Sequence, residues 1–576
     1  MDFTRNCIKA IKSINIGGWI LICIGTVVWS LTMVKSGINY SYGMGFWGPN
    51  GHDGVWHIAL IEGLIRDGLQ MPVFKGELIQ NYHIGFDVIV AVLHKLTFIP
   101  VTNLYFQVLP PVLALSIGLL VYKFTLVWKK SDVAAFWSTF FVYFGGSLGW
   151  IVNFVRNGSF DGESMFWSQQ SISTLINPPF ALSLLTLFAG LIFLKEGIAY
   201  KSMWRLTTAS LLFGLLVQIK VYAGLLILGG LFISGMHSLV NKKGPALLKV
   251  FTGTLIISVL AFSPLHNTGS GNIVFRPFWF LETMMNDIDR VYWPRFGGAM
   301  GNYVLAGNWL KAVTFYFAAF LIFIVGNFGL RIIKGLYVIN NLKNWKQLKY
   351  MDVIFVSIIL LGIVVPLFFI QSGTVWNTIQ FFYYSLTFSG ILAGIVLSNV
   401  LARIPNNKLK SLVMLFVVIL TMPTTLATLG YHYLPTRPPA KISNTELEAL
   451  KYLRQQSTGT VLTLPFNKDA AIKAVDNPPR PLYLYESTAY VSAFSNKPVY
   501  LEDEVNLEIT GYNWRDRRQN ILDVLNSDDS KIFHEFTENE QIKYIYAVRE
   551  TWSYGNLLSA FTKVYENDEV VIYEVQ

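Results

Sequence analysis

Apolar runs of about the length a helix needs to cross a bilayer, some 20 residues, recur along the first 430 positions. They predict spans near 17–34, 104–127, 133–155, 172–194, 206–219, 221–236, 247–265, 310–333, 352–371, 378–401 and 411–430. Basic residues punctuate them in a regular way. Arg5, Lys9 and Lys12 precede the first run, and every second connection after it carries more: Lys129 and Lys130; Lys195, Lys201 and Arg205; Lys242 and Lys243; Lys343, Lys346 and Lys349; Arg403, Lys408 and Lys410. Positive connections face the cytoplasm, so eleven spans place the amino terminus inside and the carboxy terminus outside a plasma or inner membrane. Ile84–Pro100 is also apolar but contains Asp87, His94 and Lys95. Counting it as a span would invert everything after it, so it is expected as a helix on the outer surface. The first run is long and meets no A-x-A-like site before Lys35, which predicts a retained helix rather than a cleaved signal. The outer connections are then 35–103, 156–171 and 266–309.

From about Thr436 the pattern shortens. Asn444 can cap a helix carrying Leu447, Leu450 and Leu453. Val461–Leu464 and Ile542–Val548 read as strands, Leu522–Leu525 sits on a helix, and Lys563–Val575 reads as a hairpin turning at Asn567-Asp568. The expected fold is thus a polytopic α-helical membrane protein of about 11 transmembrane helices over 1–435, with a soluble, extracytoplasmic α/β domain over 436–576.

Composition supports this division. Apolar residues make up 53% of the 576 and charged residues only 14%, against about 25% charged in soluble domains. The net charge of +10 is split, with +17 on residues 1–439 and −7 on 440–576. Basic connections account for the first, and the acidic tail carries no nucleic-acid signature. The two cysteines, Cys7 and Cys23, lie before and inside the first span, which leaves no exported thiol to oxidise.

The polar residues gather in the outer connections. Gly48-Pro-Asn-Gly-His52-Asp53-Gly-Val-Trp-His57 and Asn81-Tyr-His83-Ile-Gly-Phe-Asp87 hold three of the eight histidines. On helices, Asp53 and His57 share a face, as do His83 and Asp87. Such a set suits a carboxylate base with imidazoles beside a leaving group, or a divalent metal. The plainer alternative makes Asp53 an N-cap and leaves His57 and His83 capping helices or satisfying buried groups. Asp161 and Glu163 form an acidic turn that can bind a metal or a polar acceptor, or simply face water. Lys220, between two short spans, needs an anion or a water-filled cavity unless it reaches the interface, because an ammonium in hydrocarbon costs about 3 kcal/mol. Arg290 and Arg295, near Arg276, sit in an aromatic loop suited to a lipid headgroup or to internal ion pairs.

Taken with the stretches Gly51–Leu60 and Asn81–Asp87, the segment Trp376-Asn-Thr-Ile-Gln-Phe-Phe-Tyr-Tyr and the tail end Lys563–Val575, this arrangement resembles the GT-C superfamily of polyprenyl-phosphate-sugar-dependent glycosyltransferases, in particular bacterial and archaeal mannosyltransferase-like members. The resemblance extends over nearly the whole chain. It implies an inverting transfer of a sugar to an acceptor hydroxyl on a glycan, lipid or protein, with Asp53 at the reaction centre. His52, His57, His83, Asp87, Asp161, Glu163, Lys220, Arg290 and Arg295 are the candidates for donor and acceptor binding. The chain has His-Asp where many relatives have paired acids, which leaves metal dependence open; a divalent cation such as Mg or Mn would draw on Asp53 and Asp161. The WWDYG signature of oligosaccharyltransferases is absent, which disfavours transfer of a whole oligosaccharide to Asn. A polytopic transporter or lipid flippase is the competing class, but its expected repeated halves and midplane polar sites are not seen in the sequence.

Overall fold

The computed structural model describes residues 14–162, 164–166, 168–267, 273–343, 345–371, 374–474 and 478–575. Arg5, Cys7, Lys9, Lys12 and Glu163 lie outside the described residues. The chain forms two compact units. One comprises Met1–Leu31, Pro111–Pro264 and Asn272–Leu434, and the other Thr32–Pro110, Leu265–Gly271 and Pro435–Gln576.

The first unit is helical because apolar segments in a bilayer must satisfy their own backbone groups. Seven helices among the described residues are long and apolar enough to cross a membrane: Val101–Lys129, Pro178–Ala199, Val221–Val240, Ala246–Leu265, Trp309–Asn341, Tyr350–Phe368 and Val375–Arg403. The number rises to nine if each of two bent pairs is one span, Asp132–Phe144 with Gly149–Asn157 (43°) and Asn407–Thr421 with Pro423–Tyr433 (42°). This is the helix content of a multi-pass membrane protein. Ile16–Ser30 and Met203–Ile219, on which two further expected spans fall, are apolar but have 15 and 17 residues. They fall short of the usual length, so eleven spans stands as a proposal.

The two bends have local causes. Gly146 N donates to Thr421 O at 3.1 Å. A Cβ on Gly145 would meet Phe141 O at 2.3 Å and one on Gly146 would meet Thr421 O at 2.7 Å, so only glycine permits this approach. Pro423 opens the second half of the other bent pair, where it needs no amide partner. Helix Gln380–Arg403 forms the centre of the unit, buried along most of its length. Ser138 Oγ donates to Ile391 O across the contact with Asp132–Phe144, and Ser183 Oγ meets Tyr384 OH at 2.6 Å. The 266–309 connection is folded: strand Ile273–Phe275 pairs antiparallel with Phe369–Gln371, and Trp279–Asn286 buries Trp279, Phe280 and Met284 against Phe323 and Phe382.

The second unit mixes helices with two four-stranded sheets. Ile38–Tyr40 and Gly43–Phe46 are antiparallel, and Ala440–Ile442 adds to the second of them. At Gly43 φ is +114° and a Cβ would strike Ile442 O at 2.1 Å, which explains the glycine where loop 35–103 meets the tail. The other sheet orders Thr460–Leu462, Ile542–Val548, Val570–Glu574 and Thr562–Glu566. The first pair is parallel and the last two pairs antiparallel. The expected cap at Asn444 belongs one residue earlier: Ser443, in extended conformation, accepts from Glu446 N at 3.0 Å. Ile84–Pro100 contains helix Gly85–Thr97, which at 13 residues is too short to span and exposes Val88, Ile89, Val92 and Leu96.

Candidate functional site

The site in the second unit is built on a tight turn. Gly48–Gly51 forms a 3-10 helix with Pro49 in its first positions. Asn50, the buried third residue of this turn, donates from Nδ2 to Thr32 O at 3.0 Å and Ser36 Oγ at 2.9 Å. His52 then caps helix Asp53–Asp67 without a side-chain hydrogen bond to it, and Asp53 becomes the first helical residue. Its carboxylate therefore lies at the positive end of the helix dipole, with 52% of the side chain exposed and Oδ1 3.4 Å from His52 Nδ1.

Beyond Asp53 that helix is buried on all sides from Gly54 to Gly63. His57 Nδ1 lies 2.7 Å from Asp87 Oδ1, and the Asp87 side chain has no exposure. The His57 ring stacks on Tyr105 at 5.8 Å and contacts Tyr82 and Phe86 edge-on or tilted. This buried pair joins helices Asp53–Asp67 and Gly85–Thr97. His83 precedes the second of these, which starts at Gly85, so the expected His83–Asp87 helical pair does not form; His83 stacks on Tyr82 instead. Asp53 and His57 do occupy one helix, each with its own close partner.

Tail residues complete the surroundings of Asp53. Asp503, at φ +55°, caps helix Glu504–Thr510 and accepts from Asn506 N at 3.1 Å and Asn506 Nδ2 at 2.8 Å. Burial pushes its carboxyl up to about 7, Asp53 adds to the rise, and Asn506 and His52 oppose it. For His52, burial acts to lower the imidazole pKa, but Asp53 and Asp503 outweigh it and raise the value. Glu502 accepts from Val491 N and Ser492 N at 2.8 and 3.1 Å, and burial pushes it up to about 8. Glu502, Asp503 and Glu504 line a cavity of about 400 Å³ together with Tyr483, Tyr485 and Glu486. The His52 ring lies 6.3 Å from that of Tyr485. Carboxylates that accept from hydroxyls, next to phenol rings, suit a polyhydroxylated ligand.

The remaining expected residues belong to the first unit. Asp161 Oδ1 accepts from Gly162 N at 2.7 Å and Oδ2 lies 3.1 Å from His432 Nε2. Lys220 sits at the break between Met203–Ile219 and Val221–Val240, buried, with Nζ donating to Asn177 Oδ1 at 3.2 Å and lying 5.6 Å from the Tyr222 ring. It does not reach outward as a snorkelling lysine would. Arg290 is buried and donates to Ser164 O at 2.7 Å, with Asp289 at 3.3 Å; burial lowers its pKa to about 10 against the pull of Asp289 and Asp287. Arg295 is exposed near the start of helix Pro294–Leu305. Among the described residues, no group of three or more His, Cys, Asp or Glu is placed to hold a metal ion.

Sequence reasoning missed two groups. The Glu502-Asp503-Glu504 run is visible in the sequence, but nothing local ties it to a turn 450 positions earlier. Arg331 and Lys334 are buried within the Trp309–Asn341 helix; Arg331 donates to Phe328 O and Asn327 O, and Lys334 to Ser389 Oγ at 2.7 Å. Their signal was two cations at the end of an apolar run, where an interfacial position is the usual reading.

No known family model matches this sequence, and no curated protein does. Solved structures match in fold. The Archaeoglobus fulgidus oligosaccharyltransferase tethered with an acceptor peptide containing the NVT sequon aligns with 97% of this chain and 74% of its own, at 12% identity and a TM-score of 0.51. The same oligosaccharyltransferase in complex with Zn and sulfate aligns over 96% and 73%, at 12% identity and 0.50. ArnT from Cupriavidus metallidurans in the apo state aligns over 97% and 98%, at 12% identity and 0.47. At such identities the shared property is architecture alone, and this chain has the fold of that oligosaccharyltransferase.

Proposed function

We propose that the protein is an integral-membrane glycosyltransferase that moves a sugar, of hexosyl or mannosyl type, from a polyprenyl-phosphate-linked donor to an acceptor hydroxyl at the extracytoplasmic face. The observation that carries this reading is Asp53: an exposed carboxylate at a helix N-terminus, beside an imidazole and close to an acidic, aromatic cavity. The fold places it in a chain whose other unit is made of membrane-long helices.

In the reaction, the acceptor oxygen forms a bond to the anomeric carbon as the bond from that carbon to the phosphate oxygen breaks. The acceptor proton passes to Asp53, and the bonding pair leaves with the lipid phosphate. His52, 3.4 Å away, orients the carboxylate at the positive end of the helix. Attack from the face opposite the phosphate inverts the anomeric centre. Lys220, held by Asn177 and buried, supplies a cation for the phosphate, with Arg290 and Arg295 as further candidates. The His57–Asp87 pair positions the Asp53 helix and touches no substrate.

The test is acceptor-dependent transfer. Purified full chain in lipid nanodiscs, given radiolabelled polyprenyl-phosphate mannose and a saccharide acceptor, should move label from the organic to the aqueous phase and leave polyprenyl phosphate. Translocation of the intact donor across liposomes, with its sugar still attached, would support a flippase instead and contradict the proposal.

A further inference from the structure

A second cavity, of about 470 Å³, lies in the first unit and shares no residue with the transfer machinery described above. Lys129, Lys195, Lys243 and Lys349 line it, with Trp128 and Tyr350. The lysines come from the ends of separate membrane-long helices and their connections: Lys129 closes Val101–Lys129, Lys195 lies near the end of Pro178–Ala199, Lys243 lies between Val221–Val240 and Ala246–Leu265, and Lys349 precedes Tyr350–Phe368.

The nearby carboxylates do not neutralise this set. Asp352 accepts from Tyr337 OH at 2.5 Å and from Lys349 N at 3.3 Å, and among the described residues only Lys129 lies within ion-pair reach of it, at 3.7 Å. Glu196 lies 3.5 Å from Arg205. Lys243 donates to the carbonyls of Leu348 and Lys346, at 2.8 and 3.3 Å, and forms no ion pair with a carboxylate among the described residues. Lys349 repels Lys129. The wall adds a further positive element. Helix Ala246–Phe262 starts after Pro245 with no side-chain cap, and its first residues, Ala246 and Leu247, line the cavity. First-turn amides without intrahelical acceptors, at the positive end of a 17-residue helix, form an anion site. Trp128 and Tyr350 are the residue types that mark the headgroup level of a bilayer.

We propose that this cavity binds a phosphate group, carried by an anionic phospholipid headgroup or by free phosphate, as an accessory site separate from sugar transfer. Basic hollows between transmembrane helix ends recognise phosphate headgroups by this combination of ammonium groups, helix amides and interfacial aromatics.

The experiment uses the full chain in neutral detergent, with unfolding followed by intrinsic tryptophan fluorescence. One arm titrates phosphatidylglycerol against phosphatidylcholine in mixed micelles. The other titrates inorganic phosphate against chloride at matched ionic strength. Phosphatidylglycerol should raise the melting temperature saturably and phosphatidylcholine should not. Lys195→Gln with Lys349→Gln, melting like the parent when no ligand is added, should weaken the phosphatidylglycerol midpoint about 30-fold, at roughly fivefold per lysine. Lys408→Gln with Lys410→Gln, outside the cavity, should change it less than about twofold. Saturable stabilisation by inorganic phosphate, lost in the cavity variant and unaffected by phosphatidylglycerol, would assign the site to free phosphate. Equal response to the two lipids with none to phosphate would overturn the proposal, as would equal weakening by the two lysine pairs.

Discussion

Replacing His57 by Leu tests how Asp53 is held in place. The imidazole and the Asp87 carboxylate are both buried and 2.7 Å apart, and the substitution leaves the carboxylate without this donor in a low-dielectric surrounding. Breaking a buried pair by removing one member costs about 3–5 kcal/mol. The lower end applies here because Asp87 keeps other interactions. At roughly 2–4 °C per kcal/mol for a unit of 150–250 residues, His57→Leu should lower the melting temperature of the second unit by about 6–12 °C. Asp87→Asn keeps an acceptor oxygen and loses the charge, so about 1–2 kcal/mol is expected. His57→Leu with Asp87→Leu removes both partners and should recover stability relative to His57→Leu alone, with a coupling of about 2 kcal/mol or more in the double-mutant cycle. Melting is read by tryptophan fluorescence, since Trp47 and Trp56 are buried in this unit. A His57→Leu protein that melts within about 2 °C of the parent, or a double variant no more stable than that single one, would refute the argument.

Three further outcomes are expected. Lys220→Met should weaken binding of a polyprenyl-phosphate sugar about 10- to 100-fold, the loss of one charged hydrogen bond, while the protein still folds; equal affinity would move the phosphate site to Arg290 and Arg295. Glu502 and Asp503, with folded values of about 8 and 7, lie above the ordinary carboxylate range, so the folded state retains protons that the unfolded chain releases. Stability of the second unit should therefore fall as pH rises from about 4 to 8 and level off above that, and Glu502→Gln should flatten the slope; a melting temperature that climbs through this window would contradict the burial argument. In a background without Cys7 and Cys23, Leu78→Cys, Ile288→Cys and Ile532→Cys should react with an impermeant maleimide added outside cells, and Lys130→Cys, Lys242→Cys and Lys346→Cys should not. Labelling of the second group would reverse the orientation.

Much of the helical unit is legible in the sequence because bilayer-length apolar runs leave one solution for the backbone. The predicted spans fall on helices or on broken pairs of helices, and the breaks at Gly145-Gly146, Asn177 and Pro423 and the shortness of Ile16–Ser30 were hidden, since hydropathy does not report where a run breaks. In the tail, strand Ile542–Val548 and the hairpin near Asn567-Asp568 follow from alternation and turn residues. The pairing of Ala440–Ile442 with Gly43–Phe46 does not, because no local signal encodes a contact 400 residues apart. The same limit governs the site. That Asp53 opens a helix was legible from its Gly-His-Asp-Gly setting, whereas His57 meeting Asp87, rather than Asp87 sharing a helix face with His83, depended on where the Gly85 helix begins.

The most direct test of the central claim is the transfer rate of Asp53→Asn. Asparagine preserves size and hydrogen bonding at the start of the helix but cannot take up the acceptor proton, and loss of a general base costs about 10²–10⁴ in rate. With a polyprenyl-phosphate sugar as donor, the variant should fold and bind donor like the parent while its transfer falls by at least two orders of magnitude, about 10² or more. Transfer within a few-fold of the parent would contradict the assignment of Asp53 as the base and the reaction built on it.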